Sequence, residues 1–191
     1  MTPSEVLKAH WGYDSFRPLQ LDIIESVLSG HDTLGLLPTG GGKSLTFQVP
    51  ALMLPGLTLV ITPLISLMKD QVDNLRDRGI RAVYFHSGLT RREIDLGLTR
   101  CRLGKAKLAY VSPERLQNEN FIAELRAISI SLIVVDEAHC ISQWGYDFRP
   151  SYLKIAHLRE LKGADIPVLA LTASATPEVA EDIMPVSYTH L

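Results

Sequence analysis

Residues 36–51 read LLPTGGGKSLTFQVPA, three consecutive glycines followed by a lysine, a serine and an apolar run. A flexible linker ending in lysine would look like this, and so would a cradle for phosphates. The flanking residues separate the two. Thr33–Leu37 is apolar on nearly every residue, as a strand covered on both faces must be, and helix-compatible residues follow from Leu45. Between a buried strand and a helix, glycines let the backbone take positive φ and turn N–H groups toward phosphate oxygens. The helix N-terminus adds partial positive charge, Lys43 a full one, and Ser44 a hydroxyl for Mg2+. Thr39, Gly40, Gly41, Gly42, Lys43 and Ser44 therefore read as a P-loop. The strict pattern has glycine where this chain has Leu37, so the match is incomplete.

The same alternation continues along the chain. Apolar, β-branched runs at Thr58–Thr62, Ala82–Phe85, Lys107–Val111, Leu132–Val135 and Val168–Leu171 predict strands. Leu64, Leu67, Met68, Val72 and Leu75 recur at helical spacing, with Gly79 as a stop. Thr90 and Glu93 form a capping-box pattern, and Ser112-Pro113 and Thr176-Pro177 resemble helix starts. Strand, helix, strand, helix predicts an α/β fold, a mostly parallel sheet with helices on both faces. No internal repeat or low-complexity segment interrupts it. A helix from Glu178 would be stopped by Pro185, so the reading gives one domain over residues 1–184. Residues 185–191 are expected to be a truncation or an added tail.

Composition narrows the function classes. In 191 residues, 46% are hydrophobic and the net charge is −2, so any nucleic-acid binding must come from a local patch. Cys101 and Cys140 form no C-x-x-C pair and are expected to be reduced thiols. No signal-peptide layout and no membrane-length apolar run is present, which predicts a cytoplasmic protein with no membrane partner.

A second motif bears on the glycine run. Leu132–Val135 is a buried strand ending in Asp136 and Glu137. Two acids there could cap the next helix. In a P-loop enzyme the first would instead hold Mg2+, and the second would orient or deprotonate water. Paired with the glycine loop, the enzymatic reading is the stronger: the loop would hold the phosphates of a nucleotide, with Mg2+ as the metal.

Asp136-Glu137-Ala138-His139 spells DEAH and continues as CISQWGYDFRPSY. With PTGGGKS, it resembles the RecQ family of superfamily 2 DNA helicases. FRPLQ (Phe16–Gln20) after WGY is similar to that family's adenine-recognition motif, TPLISLMKDQV to motif Ia, YVSPERL to the segment before the DEAH box, and LALTASAT to motif III. Leu37 suits the family, whose first P-loop position is often not glycine. The likeness implies ATP as the nucleotide and a RecA-like first lobe, with Tyr13, Arg17 and Gln20 on the adenine. It implies catalytic roles for Lys43, Asp136, Glu137 and His139, with Ser44 and Asp136 on Mg2+. Gln143, Thr172 and Ser174 would couple hydrolysis to movement. Trp144, Phe148 and Arg149 would meet single-stranded DNA through an aromatic-rich loop, although two-residue spacing also fits a core strand. Ser66, Lys69, Ser112 and Arg115 would reach DNA phosphates. The basic residues from Arg91 to Lys107 read instead as a solvated helix face.

The likeness covers motifs of the first lobe only. Nothing resembles a second RecA-like lobe with its arginine finger, a cysteine-rich zinc module or a winged helix. The expectation is thus an ATP-dependent helicase lobe acting on single-stranded and duplex DNA, not an active helicase alone. It would be nucleoid-associated in a bacterium or nuclear in a eukaryote. Two alternatives stay open: a stand-alone nucleotide- or DNA-binding regulatory module, and a P-loop ATPase of another class.

Overall fold

Strands apolar on both faces need helices on both faces, and that is the architecture of the computed structural model, which describes residues 1–38, 42–141, 150–163, 165–173 and 178. Six strands, β1 (Thr33–Leu36), β2 (Leu57–Ile61), β3 (Ala82–Phe85), β4 (Leu108–Val111), β5 (Ile130–Val135) and β6 (Val168–Thr172), form one sheet in the order β1-β6-β5-β2-β4-β3. Every pairing is parallel. All six predicted strands are present, with ends shifted by at most two residues.

Among the described residues, seven α-helices flank this sheet: α1 (Pro3–Trp11), α2 (Gln20–Leu28), α3 (Leu45–Met53), α4 (Ile65–Asp77), α5 (Arg91–Arg102), α6 (Glu119–Leu125) and α7 (Lys154–Lys162). Alternate residues of each strand serve opposite faces. Val60, Leu132, Val134 and Leu169 pack against Ile23 of α2, Phe47 of α3, and Met68 and Val72 of α4. Their neighbours Leu59, Ile61, Ile133 and Val135 pack against Leu98 of α5, Phe121 of α6, and Ile155 and Leu158 of α7. α1 adds Val6 to a third cluster with Ile24 and Val49. Leu37 extends this logic. It is buried among the first group, and its N–H donates to the Thr172 carbonyl at 3.2 Å. A core residue therefore stands where the strict P-loop pattern has glycine.

Local signals set the helix ends. Thr90 Oγ1 accepts from Glu93 N at 3.2 Å, and Glu93 Oε2 accepts from Thr90 N at 3.4 Å, the expected reciprocal cap. Thr2 and Glu5 make the same box at α1, with Pro3 at the first helical position. Gly79, at φ 76°, ends the α4 segment as expected. The start at Ser112-Pro113 is different. Pro113–Gln117 is a single 3-10 turn, Ser112 makes no capping bond, and α6 begins only after Asn118 Oδ1 accepts from Phe121 N at 3.0 Å. The Ser112 side chain is turned inward and cannot cap, leaving the competing Asn118 to do so. Cys101 and Cys140 are both buried thiols that form no disulfide. No helix among the described residues is long and apolar enough to cross a membrane.

Candidate active site

In an all-parallel sheet every strand's carboxyl end lies on one side, so the loops after β1, β5 and β6 meet there. Lys43, after β1, donates to Glu137 Oε1 at 3.3 Å and lies 3.7 Å from Asp136 Oδ1. The partners are 94 positions apart in sequence. Asp136 and Glu137 follow β5, and Thr172 ends β6, the strand between β5 and β1. His139 Nδ1 sits 3.0 Å from Thr172 Oγ1 and 3.5 Å from Glu137 Oε2.

Asp136 is 7% exposed. Burial raises its carboxyl above the ordinary range; the Lys43 ammonium opposes that, and the Glu137 carboxylate adds to it. Three contacts fix the segment. Thr62 Oγ1 donates to Asp136 Oδ2 at 3.4 Å, Glu137 N to Asp136 Oδ1 at 3.0 Å, and the buried Tyr152 hydroxyl to the Asp136 carbonyl at 2.9 Å. Glu137 itself sits at φ 53°, a left-handed conformation costing a non-glycine residue about 1–2 kcal/mol. Such strain persists where surrounding contacts over-determine it. Here the Glu137 carbonyl accepts from Cys140 N at 2.9 Å, so both sides of the residue are held.

The other wall comes from the segment between α1 and α2. Gln20 is buried; its Oε1 accepts from Arg17 N at 2.8 Å and its Nε2 donates to the Gly42 carbonyl at 3.0 Å. Gly42 has φ 76°, and a Cβ there would lie 2.2 Å from Gln20 Nε2, so this position needs glycine twice over. Tyr13 is 55% exposed and Arg17 is exposed, both on the rim. Tyr13, Arg17, Gln20, Gly42, Lys43, Ser44, Asp136 and Glu137 all line a single cleft of about 700 Å3. Its floor is thus cationic and anionic side by side, and its rim aromatic and guanidinium, a layout that suits a phosphate chain joined to a planar base.

The cleft's donor set also suits a hard divalent cation. Asp136 offers a buried carboxylate, and the Ser44 hydroxyl caps no helix N–H. Both are oxygen ligands lining the cleft, as Mg2+ prefers, with phosphates able to supply the remainder.

Among the residues expected on DNA, Ser66 and Lys69 are exposed at the start of α4. Ser112 is 2% exposed, and its hydroxyl has no hydrogen-bond partner among the described residues. Arg115 donates to the His86 carbonyl and stands over the Phe121 ring at 6.0 Å. Thr39, Gly40, Gly41, Gln143, Trp144, Phe148, Arg149 and Ser174 lie outside the described residues, as do Thr176-Pro177 and residues 185–191. Thr62 and Tyr152 join the site without having been read from the sequence. Thr62 opens the TPLISLMKDQV run and Tyr152 closes CISQWGYDFRPSY, so membership of those motifs was the available sign for both.

The pattern of the DEAD/DEAH box helicase family matches residues 17–183. The chain is 50% identical over 181 residues to the probable ATP-dependent DNA helicase RecS of Bacillus subtilis, covering 94% of the chain and 36% of that relative. It is also 50% identical over 183 residues to the ATP-dependent DNA helicase RecQ of Bacillus subtilis, covering 94% and 31%. The chain thus spans about a third of the length of the curated relatives it matches. Among solved structures, the Pyrococcus furiosus Hef helicase domain superimposes with a TM-score of 0.71 at 24% identity, covering 91% of this chain and 37% of that one. The DUF1998 helicase MrfA bound to DNA gives 0.76 at 17% identity, covering 97% and 28%. At such identities these two likenesses speak to the fold alone.

Proposed function

From the premise that the chain belongs to the DEAD/DEAH box helicase family, we propose that it is the ATP-binding lobe of a RecQ-like DNA helicase, a RecA-like α/β domain that couples ATP hydrolysis to movement along DNA. The observation that carries this is the meeting of Lys43 with Asp136 and Glu137 at the floor of the cleft.

The side chains divide the work by their chemistry. Tyr13 stacks on the adenine face and Arg17 lies against it, while Gln20 reads the base edge. Lys43 and the backbone of residues 39–42 hold the phosphate oxygens. A phosphate placed on Lys43 competes with Glu137 for the same ammonium, which frees the Glu137 carboxylate to take a proton from the attacking water. Glu137 Oε2 remains within reach of His139, and His139 of Thr172, so a change at the water-activating acid is felt at the end of β6. Ser44 and Asp136 hold Mg2+, which when bound neutralises charge on the phosphates. Ser66 and Lys69 contact the DNA backbone, and Trp144, Phe148 and Arg149 meet the single strand through an aromatic-rich loop. The inward-facing Ser112 and Arg115 reach it only if that segment repacks.

In-line phosphoryl transfer in this class gains about 10³–10⁵ from an arginine finger. On this reading that group comes from a second lobe, and the chain by itself binds nucleotide far better than it turns it over. ATP–Mg2+ affinity of the chain and of Lys43→Ala tests the assignment. At least a tenfold loss is expected in the variant, and equal affinities would overturn it.

A further inference from the structure

We propose that the groove at the amino end of β3 is a second phosphate site, taking a run of phosphates such as a nucleic-acid backbone or a free polyphosphate chain. The groove has a volume of about 490 Å3 and is lined by Arg76 in the last turn of α4, by Gly79 after it, by Arg81 just before β3, and by Arg100 and Lys105 around the end of α5. Ile80 and Ala82, both buried, contribute to its lining. It is remote from the nucleotide cleft: β3 is the edge strand opposite β1, and this is the end of the strand away from the loops that hold Lys43 and Asp136.

The charge distribution is the first argument. The chain has 19 lysines and arginines against 21 acids, so cations should find carboxylates. Some do: Arg102 meets Glu124 at 2.7 Å, Arg159 meets Asp32 at 2.8 Å, and Lys8 meets Asp14 at 2.5 Å. Arg76, Arg81, Arg100 and Lys105 are all exposed, and none of them forms an ion pair among the described residues. No acid lines the groove. Four like charges converging without a counter-charge repel one another, and a concavity with apolar walls focuses their field on whatever anion enters.

Donor geometry is the second. Three of the four are arginines, whose planar fork matches phosphate oxygens in pairs. Arg76 is already aimed: its Nε donates to the Ala82 carbonyl at 3.0 Å, which satisfies an outward group of the edge strand and leaves both terminal nitrogens for a ligand. Three forks and an ammonium around one groove exceed what a single phosphate can use, hence a chain of them. This site is independent of the nucleotide reading and uses none of its residues.

The test uses the full chain carrying Lys43→Ala, so that the first site does not contribute. To it are added either Arg81→Gln with Arg100→Gln, or Arg91→Gln with Arg92→Gln as a control of equal charge change outside the groove. Calorimetry with inorganic tripolyphosphate should give one saturable site that the groove pair weakens at least tenfold and the control pair leaves intact. Anisotropy with labelled oligo(dT) across a salt series distinguishes the sources. If nucleic-acid backbone uses the groove, the slope of log affinity against log salt falls by about 1.4 in the groove pair, roughly 0.7 per lost contact. Loss of tripolyphosphate with an unchanged slope assigns the site to free polyphosphate. Indifference of both probes to the groove pair, or an equal response to both pairs, overturns the proposal.

Discussion

Gln20 reaches across 22 positions to donate to the Gly42 carbonyl at 3.0 Å while its other amide atom accepts from the Arg17 backbone at 2.8 Å. One buried side chain thus fixes both the segment proposed to recognise adenine and the last glycine of the phosphate loop. Gly42→Ala should break this link in two ways, by forcing a methyl against Gln20 Nε2 and by straining a φ of 76°. The strain alone is about 1–2 kcal/mol. The expected result is a tenfold or greater fall in ATP affinity for both Gly42→Ala and Gln20→Ala. Their double variant should lose less than the sum of the two, because the Gln20–Gly42 link is counted in both, while the φ strain at position 42 remains. Additive losses in the double would show that the two residues act separately.

Thr172 lies 3.0 Å from His139 Nδ1, and His139 lies 3.5 Å from Glu137 Oε2. All three are buried or half-buried, so the contact is shielded from solvent competition. Thr172→Val keeps the shape and removes the hydroxyl, leaving the imidazole short of a partner at a cost of about 1–3 kcal/mol. ATP binding, which uses Lys43 and the loop, should be nearly unchanged. Turnover stimulated by DNA, measured with the second lobe present, should fall about tenfold or more. An equal loss in ATP affinity would place Thr172 among the binding residues instead.

The degree to which the sequence disclosed these features follows from how local each one is. The six strands were legible because burial on both faces forces consecutive apolar residues, as in Leu132–Val135. The capping box at Thr90–Glu93 was legible because both partners lie within one turn. The box at Thr2–Glu5 carries the same spacing and was equally legible. Lys43 and the two acids were legible as separate motifs, and the chemistry a P-loop enzyme needs paired them before any resemblance did. What could not be read was tertiary detail: that the Tyr152 hydroxyl donates to the Asp136 carbonyl, and that the Glu137 backbone is left-handed, which no propensity favours. Ser112 failed for a related reason. Its neighbour Pro113 signals a helix start, but only packing decides that the hydroxyl faces the core.

Alkaline stability should depend on Cys101. Burial pushes its thiol up from 9.0 to about 12 in the folded chain, against the smaller pull of Arg102. Between those values the folded state holds a proton that the unfolded state has released. Stability is therefore full below pH 9 and declines as pH rises, by at most about 1.4 kcal/mol per pH unit for one group. Tyr110, also raised by burial, adds to the decline at higher pH. Cys101→Ala removes the first contribution, so its melting temperature should fall less steeply between pH 9 and 11 than the parent's, measured under reducing conditions. Parallel curves would mean that the thiol does not titrate with unfolding.

Asp32 stands directly before β1, the strand that feeds the phosphate loop and that pairs on one side only, with β6. Its carboxylate receives both a terminal nitrogen of the buried Arg159, at 2.8 Å to each oxygen, and the Val168 backbone N–H at 3.0 Å. It therefore ties the amino ends of β1 and β6 to α7. Removing one partner of such a pair leaves a buried charge without its counter-charge, which typically costs about 3–5 kcal/mol, whereas replacing both with apolar groups is often close to neutral. Asp32→Ala should accordingly lower the urea midpoint strongly with little change in m, and Arg159→Leu added to it should recover much of the loss. Asp32→Asn, which keeps an acceptor for Val168, should fall between. Because β1 positions Lys43 at its other end, Asp32→Ala should also weaken ATP binding at temperatures where the chain is still folded. A loss of less than about 1 kcal/mol in Asp32→Ala, the range of exposed pairs, would mean that β1 is held by its hydrogen bonds to β6 and by its core contacts alone.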